Sequence, residues 1–271
     1  MNKILLTGSS GLLGNSLKNI LSNYYLVDCL AHSEIVKNID LFKHYDFIIH
    51  CAANTNVEQC EVNKSASYFS NFELTKVIVD NANINSKFIY ISSCGVYGDA
   101  NKLPKENSEI DVCSPTTIHH THKLLSEKYI KTYLNNFLIC RVGWLYGSTA
   151  DWVSCRLIEL SKNESLYGNI SQFGNMSEVS YVSTLIIELL KKDINGIFNL
   201  GNKNSYSRFE FLKCISDFVG KKVVGVDKEY FKRLANVPNN ESINLTKLEN
   251  TLNIELVDSM QSLKYYLIGK K

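Results

Sequence analysis

Lys3-Ile4-Leu5-Leu6-Thr7-Gly8-Ser9-Ser10-Gly11-Leu12-Leu13-Gly14 stands near the start of the chain and sets the architecture of its N-terminal half. A short apolar run, Lys3–Thr7, reads as a buried strand, and Leu12–Leu21 reads as the helix after it. Between them Gly8, Gly11 and Gly14 are spaced G-x-x-G-x-x-G. Glycines placed between a first strand and a first helix permit a tight turn. They let the backbone approach a pyrophosphate and let the helix pack closely on the strand. The helix N-terminus adds free N–H groups and positive dipole character for the phosphates. The stretch therefore predicts a dinucleotide site, with Gly8, Ser10, Gly11, Leu12, Leu13 and Gly14 as its contacts.

The pattern repeats outward. Tyr24–Cys29, Asp46–Cys51, Lys87–Ser92 and Phe137–Val142 read as further buried strands, with helices over about Ser65–Asn83 and Thr121–Leu134 between them. In the last helix Leu124, Leu125, Lys128, Tyr129, Tyr133 and Leu134 carry much of a 3.6-residue stripe. Strands alternating with helices imply parallel βαβ units, hence an α/β fold with a doubly wound parallel sheet. Beyond residue 150 the alternation loosens. Helices are expected at Trp152–Ser161, Val179–Lys191, Phe209–Phe218, Thr246–Leu252 and Ser259–Leu267, and strands at Gly196–Leu200 and Val223–Val226.

Composition narrows the class. The 271 residues are 45% apolar and 21% charged with net charge +2, which excludes a disordered chain and gives no basic field for nucleic acid or acidic lipid. No apolar run is long enough to span a membrane. The eight cysteines include no CxxC pair, so most are read as small buried hydrophobes, and no metal site is expected. These features predict a soluble, reduced, cytoplasmic protein.

Ile48-Ile49-His50-Cys51-Ala52-Ala53-Asn54-Thr55-Asn56-Val57, Ser92-Ser93-Cys94-Gly95-Val96-Tyr97-Gly98, Arg141-Val142-Gly143-Trp144-Leu145-Tyr146-Gly147, Gln172-Phe173-Gly174 and Pro238-Asn239-Asn240 come after the glycine turn in that order. Together they resemble the dTDP-4-dehydrorhamnose reductase family of extended short-chain dehydrogenases, over nearly the whole chain. The resemblance implies a Rossmann-like sheet with a smaller C-terminal α/β substrate lobe. Residues 1–150 would form the NAD(P)-binding domain, with about 178–200 returning to it, and about 151–177 and 201–271 the lobe. It implies a nucleotide-linked sugar as partner and NAD or NADP as cofactor. It places Asp40, Leu41, Cys51, Ala52, Ala53, Thr55, Asn71 and Lys123 against the cofactor, Val57 and Trp144 against the substrate, and a homodimer by analogy of fold. The residues themselves leave NAD and NADP open: Asp28 lies in the second strand rather than at its end, and no Arg follows it.

The family works through Tyr-x-x-x-Lys, whose spacing puts both side chains on one helix face. The Lys holds the nicotinamide ribose, the Tyr moves a proton at the sugar oxygen, and a Ser or Thr bonds the same oxygen. Here Ser93 and Lys123 match, but His119 stands where the Tyr belongs. Imidazole is a competent acid or base. A lysine ammonium about 5 Å away at an effective dielectric of about 20 would cost imidazolium roughly 3 kcal/mol, about two pKa units. His119 is then mostly neutral at pH 7, a fair base and a poor acid, and Tyr97 is a candidate stand-in donor. His120 and His122 lie close by, but only His119 and His122 share a face, with no acid in register, which argues against a metal. Related dehydratases carry Asp-Glu after the catalytic Ser/Thr, where this chain has Cys94-Gly95. The family's Arg before Pro238 is replaced by Val237. Two readings stay open: an NAD(P)-dependent sugar-nucleotide oxidoreductase with Ser93, His119, Lys123 and Tyr97 as its chemistry, or a binding protein of regulatory or structural role that keeps the cleft without the catalysis.

Overall fold

The computed structural model describes residues 2–103, 105–148 and 150–270. The N-terminal half runs β1 (Lys3–Thr7), α1 (Leu12–Leu21), β2 (Leu26–Leu30), β3 (Phe47–His50), α2 (Val57–Val62), α3 (Lys64–Tyr68), a π turn at Phe69–Glu73, α4 (Leu74–Asn81), β4 (Lys87–Ser93), α5 (Ile118–Tyr133) and β5 (Phe137–Val142). The remainder is β6 (Trp144–Tyr146), α6 (Trp152–Lys162), β7 (Ser165–Asn169), β8 (Phe173–Gly174), β9 (Met176–Glu178), α7 (Val179–Lys191), β10 (Gly196–Leu200), β11 (Tyr206–Ser207), α8 (Arg208–Phe218), β12 (Lys222–Val226), β13 (Asn240–Glu241), α9 (Thr246–Leu252) and α10 (Ser259–Ile268).

Six strands form one sheet in the order β10-β5-β4-β3-β1-β2, and every neighbouring pair is parallel. β1, β3, β4 and β5 are apolar because both faces are covered, whereas the edge strand β2, expected to be buried, is mostly exposed and buries only Leu30. Ile4 and Leu6 point to the side packed by α1 and α7, where Leu13, Leu17, Val182 and Ile186 are buried, while Leu5 joins Ile48, Phe88, Tyr90 and Ile130 on the other side. The chain leaves β1 for β2 on one side and reaches β3 on the other. That switch of direction opens a crevice at the carboxyl ends of β1 and β3, the place where doubly wound sheets take ligands. A third core, around Tyr146, Leu160, Phe211, Ile215 and Leu263, supports the lobe built from α6, α8 and α10.

The packing of α5 differs from the expected stripe. His119, His120, His122, Lys123, Ser126, Glu127 and Ile130 are its buried residues, while Leu124, Leu125 and Tyr129 are half-buried and Tyr133 is exposed. The helix turns a polar face inward because that face is satisfied there. Glu127 takes Arg141 in a two-point ion pair, Nε to Oε1 at 3.0 Å and Nη2 to Oε2 at 2.6 Å, and accepts Ser92 Oγ at 2.5 Å. Ser126 Oγ donates to Asn71 O at 2.7 Å. These bonds lock α5 to β4, β5 and the π turn, and so fix Lys123 one turn earlier and His119 two turns earlier. The cysteine reading also needs amendment: Cys60, Cys94 and Cys140 are buried as expected, but Cys29 and Cys155 are exposed.

Candidate functional site

A cleft of about 1090 Å³ runs across the carboxyl ends of the strands, from the glycine turn to the C-terminal lobe. Its first wall is Gly8–Gly14. Gly8 has φ +72°, a conformation that disfavours side chains, and a Cβ there would sit 2.5 Å from Ala52 N. A Cβ on Gly14 would sit 2.1 Å from Gly8 O, so α1 can start this close to the turn only with glycine there. Gly11 N bonds Gly8 O at 3.0 Å and closes the loop below the helix N-terminus. Cys51, Ala52, Ala53 and Thr55 line the next part, with Cys29, Ala31 and His32 from the end of β2. An open backbone turn and a helix N-terminus at one end of the cleft fit a dinucleotide.

Ser93, His119 and Lys123 all line the cleft. Ser93 Oγ accepts from Gly95 N at 3.2 Å, which leaves its own proton for a ligand oxygen. Lys123 Nζ donates to Ile91 O at 2.7 Å and lies 4.6 Å from the Tyr90 ring centre; burial pulls its pKa down to about 8. His119 is buried, with Nδ1 2.9 Å from Asn54 O. A carbonyl only accepts, so Nδ1 carries the hydrogen and the neutral ring keeps its lone pair on Nε2. Asn71 orders this contact: its Oδ1 accepts Asn54 N at 2.8 Å and its Nδ2 donates to Asn54 O at 3.1 Å. Burial first, then the charges of His120 and Lys123, holds the His119 pKa well below the usual histidine range; the bond to Asn54 opposes them. His119 thus lines the cleft as a neutral imidazole.

The three histidines of α5 diverge. His120 is held by Thr117, Oγ1 to Nδ1 at 2.9 Å, and its ring fills the space that a side chain at 95 would need: a Cβ on Gly95 would lie 2.2 Å from it. A dehydratase carboxylate at 95 has no room. His122 turns to Ser67 Oγ at 2.9 Å. Among the described residues no cluster of three His, Cys, Asp or Glu side chains is arranged for a metal ion.

The far end is built by the lobe. Val57, Trp144, Gln172, Arg208, Arg233, Val237 and Glu241 line it. Trp144 is not an open platform: the Arg208 guanidinium carbon stands 3.4 Å above its ring centre, and its Nε1 donates to Glu241 Oε2 at 3.0 Å. Gln172 Nε2 donates to the same oxygen at 2.8 Å.

Residues 1–269 match the family described as RmlD substrate binding domain. The chain belongs to that family. A relative, dTDP-4-dehydrorhamnose reductase of Aggregatibacter actinomycetemcomitans, is 27% identical over 97% of this chain and 98% of its own length. Among solved structures, a dTDP-4-dehydrorhamnose reductase of Clostridium acetobutylicum superposes with TM-score 0.92 at 24% identity, covering 99% of both chains. One from Bacillus anthracis, in complex with NADP, superposes with TM-score 0.90 at 23% identity, again over 99% of both. These likenesses agree with the six-stranded parallel sheet described above.

Within this RmlD-family chain several expected site residues stand elsewhere. Tyr97 is not a stand-in donor. It is fully buried behind the cleft wall, its hydroxyl donates to Asn199 Oδ1 at 2.7 Å, and Arg141 covers its ring at 4.8 Å. Burial raises its pKa, which suits a structural phenol. Asp40 and Leu41 are exposed and outside the cleft lining; Asp40 pairs with Lys43 at 2.9 Å instead. Asp28, likewise outside, accepts the Tyr45 hydroxyl at 2.8 Å. Asn71 is buried one layer behind the cleft, where it positions Asn54 and so His119. Arg208, Arg233 and Glu241 went unmarked in the sequence. The signal was scarcity: the chain has four arginines, and two of them line this cleft.

Proposed function

We propose that the protein is an NAD(P)-dependent oxidoreductase acting at a carbonyl or hydroxyl of a nucleotide-linked deoxysugar, with His119 in the proton-transfer role. The observation that carries this is that Ser93, His119 and Lys123 line the same cleft as the glycine turn. Gly8–Gly14 and the α1 N-terminus would hold the pyrophosphate, Cys51, Ala52, Ala53 and Thr55 would flank the cofactor, and Lys123 would hold the nicotinamide ribose. The end of β2 contributes Cys29, Ala31 and His32 and no carboxylate or arginine, so the reading covers both NAD and NADP. A bound nicotinamide supplies or accepts the hydride. Ser93 donates a hydrogen bond to the sugar oxygen and holds it beside His119. In the oxidative direction His119 Nε2 takes the hydroxyl proton as hydride leaves carbon. In the reductive direction the same nitrogen must first gain a proton, which burial and Lys123 oppose.

The test is nicotinamide absorbance with NADH or NADPH and nucleotide-linked 4-keto-6-deoxy sugars, for the native protein, His119→Ala and His119→Tyr. Turnover by the native protein that is lost in His119→Ala supports the reading. Turnover by His119→Tyr alone contradicts it and favours the second reading, a cofactor- and sugar-nucleotide-binding protein without catalysis. What motivates that second reading is the neutral imidazole at a position where reduction needs an acid. No helix among the described residues is long and apolar enough to cross a membrane, and the reading places the protein in the cytoplasm. A homodimer through the outer face of α5, where Leu124 and Leu125 are half-buried and Tyr133 exposed, completes it; a monomer by light scattering would count against that contact.

A further inference from the structure

Arg208 is the first residue of α8 and enters the far end of the cleft half-buried. Its guanidinium lies flat on Trp144, 3.4 Å from the ring centre, and 5.2 Å from that of Trp152. Stacking uses the faces of the guanidinium and none of its five N–H donors. Among the described residues no hydrogen-bond or ion-pair partner of the guanidinium is found; the Arg208 backbone N–H bonds Gln172 O. Glu241 is close enough to favour the charged form but makes no ion pair with it, and spends one oxygen on Trp144 and Gln172. Burial is the larger influence and pulls the Arg208 pKa down to about 10, still charged at neutrality. A rigid, desolvated guanidinium with unspent donors is a receptor for a planar or tetrahedral anion. Arg233, exposed and with its Nε 4.0 Å from Glu58 Oε1, supplies a second cation on the same wall. Its loop is pinned by Glu58, which accepts Leu234 N at 2.9 Å and Ala235 N at 3.2 Å.

We propose that Arg208, with Arg233 beside it, grips the phosphate oxygens of the substrate's nucleoside diphosphate, and that Trp144 is the platform of Arg208 rather than a surface for the sugar. The assignment rests on the proposed function and deepens it. It also accounts for Val237 in the same wall: the cation absent there is supplied from α8 instead.

The chain's two tryptophans, Trp144 and Trp152, both adjoin Arg208, so a ligand that engages it changes intrinsic fluorescence. Thymidine diphosphate, uridine diphosphate, inorganic pyrophosphate, thymidine and glucuronate are titrated into the native protein, Arg208→Gln, Arg208→Lys and Arg233→Gln, with NADPH binding as the control for an intact fold. The expected result is saturable binding of a nucleoside diphosphate, weakened about 30-fold in Arg208→Gln and less in Arg208→Lys, which keeps charge but not the fork. NADPH affinity should stay within about twofold in every variant. Nucleoside diphosphate binding that is equal in Arg208→Gln and native protein overturns the proposal, as does preference for glucuronate, which would make the anion a sugar carboxylate. Absence of nucleoside diphosphate binding by a native protein that binds NADPH and turns over a keto sugar overturns the Arg208 assignment alone. Absence of both binding and turnover removes the sugar-nucleotide reading itself.

Discussion

Acid should unfold this protein with unusual steepness, because the three most deeply buried of its four buried histidines are held neutral. His50 sits between Thr7 Oγ1 at 2.6 Å and Thr75 Oγ1 at 3.1 Å, and burial pushes its pKa down to about 3. His120 is pushed down to about 4 and His119 well below its ordinary 6.5, in both cases chiefly by burial. In the unfolded chain all three titrate near 6.5. Below that pH the unfolded state binds protons the native state refuses, so stability present above pH 6.5 is lost as pH falls toward the native values. Each proton is worth about 1.4 kcal/mol per pH unit, so three give a slope of about 4 kcal/mol per unit between pH 5.5 and 4.5. Glu106 and Glu241, whose pKa values burial raises, oppose part of this near the lower end. Against a typical total of about 5–15 kcal/mol, the native state should be lost by about pH 4. Urea unfolding followed by circular dichroism at pH 7.5, 6.5, 5.5 and 4.5 measures the slope, and His50→Asn should lower it by about a third. A slope near zero over this range, or one unchanged in His50→Asn, would refute the account of the buried histidines.

The same geometry predicts three further outcomes. Glu127→Ala leaves the buried Arg141 charge unpaired and should cost about 3–5 kcal/mol in urea unfolding, with loss of turnover as α5 loosens. Gly14→Ala drives a Cβ into Gly8 O and should weaken NADPH binding, read by fluorescence titration, by at least about tenfold with little effect on nucleoside diphosphate binding. Lys123 titrates at about 8 in the fold against 10.5 unfolded, so between those values the unfolded chain holds the extra proton and stability rises with pH. Lys123→Met should therefore raise the melting temperature of the cofactor-free protein at pH 7, abolish that rise, and lower turnover at least about 100-fold; an unchanged pH dependence would contradict it.

The sheet was legible because strands buried on both faces leave uninterrupted apolar runs: Lys3–Thr7 and Phe137–Val142 begin and end where the sequence suggested. The glycine turn was legible because only glycine satisfies its contacts. What failed did so where polar groups meet across long separations. The buried face of α5 is polar, since Glu127 finds Arg141 and Ser126 finds Asn71, so its leucines misdirected the stripe. Tyr97 reads as a loop donor until Asn199, about 100 positions later, is seen to take its hydroxyl. Asp40 failed for a local reason instead: Lys43, three residues on, pairs with it on the surface. Arg208 carries no local motif, because its meaning comes from Trp144 and from its guanidinium having no acceptor among the described residues.

Proton movement by His119 is tested most directly by the pH dependence of single-turnover hydride transfer from NADPH to a nucleotide-linked 4-keto sugar between pH 6.5 and 7.5, below the Lys123 titration at about 8. With the His119 pKa held below this window, the protonated fraction falls tenfold per pH unit. The rate should fall by about the same factor, while His119→Ala should be slow and flat. A native rate constant across the window, or one matched by His119→Ala, would show that the proton comes from another group.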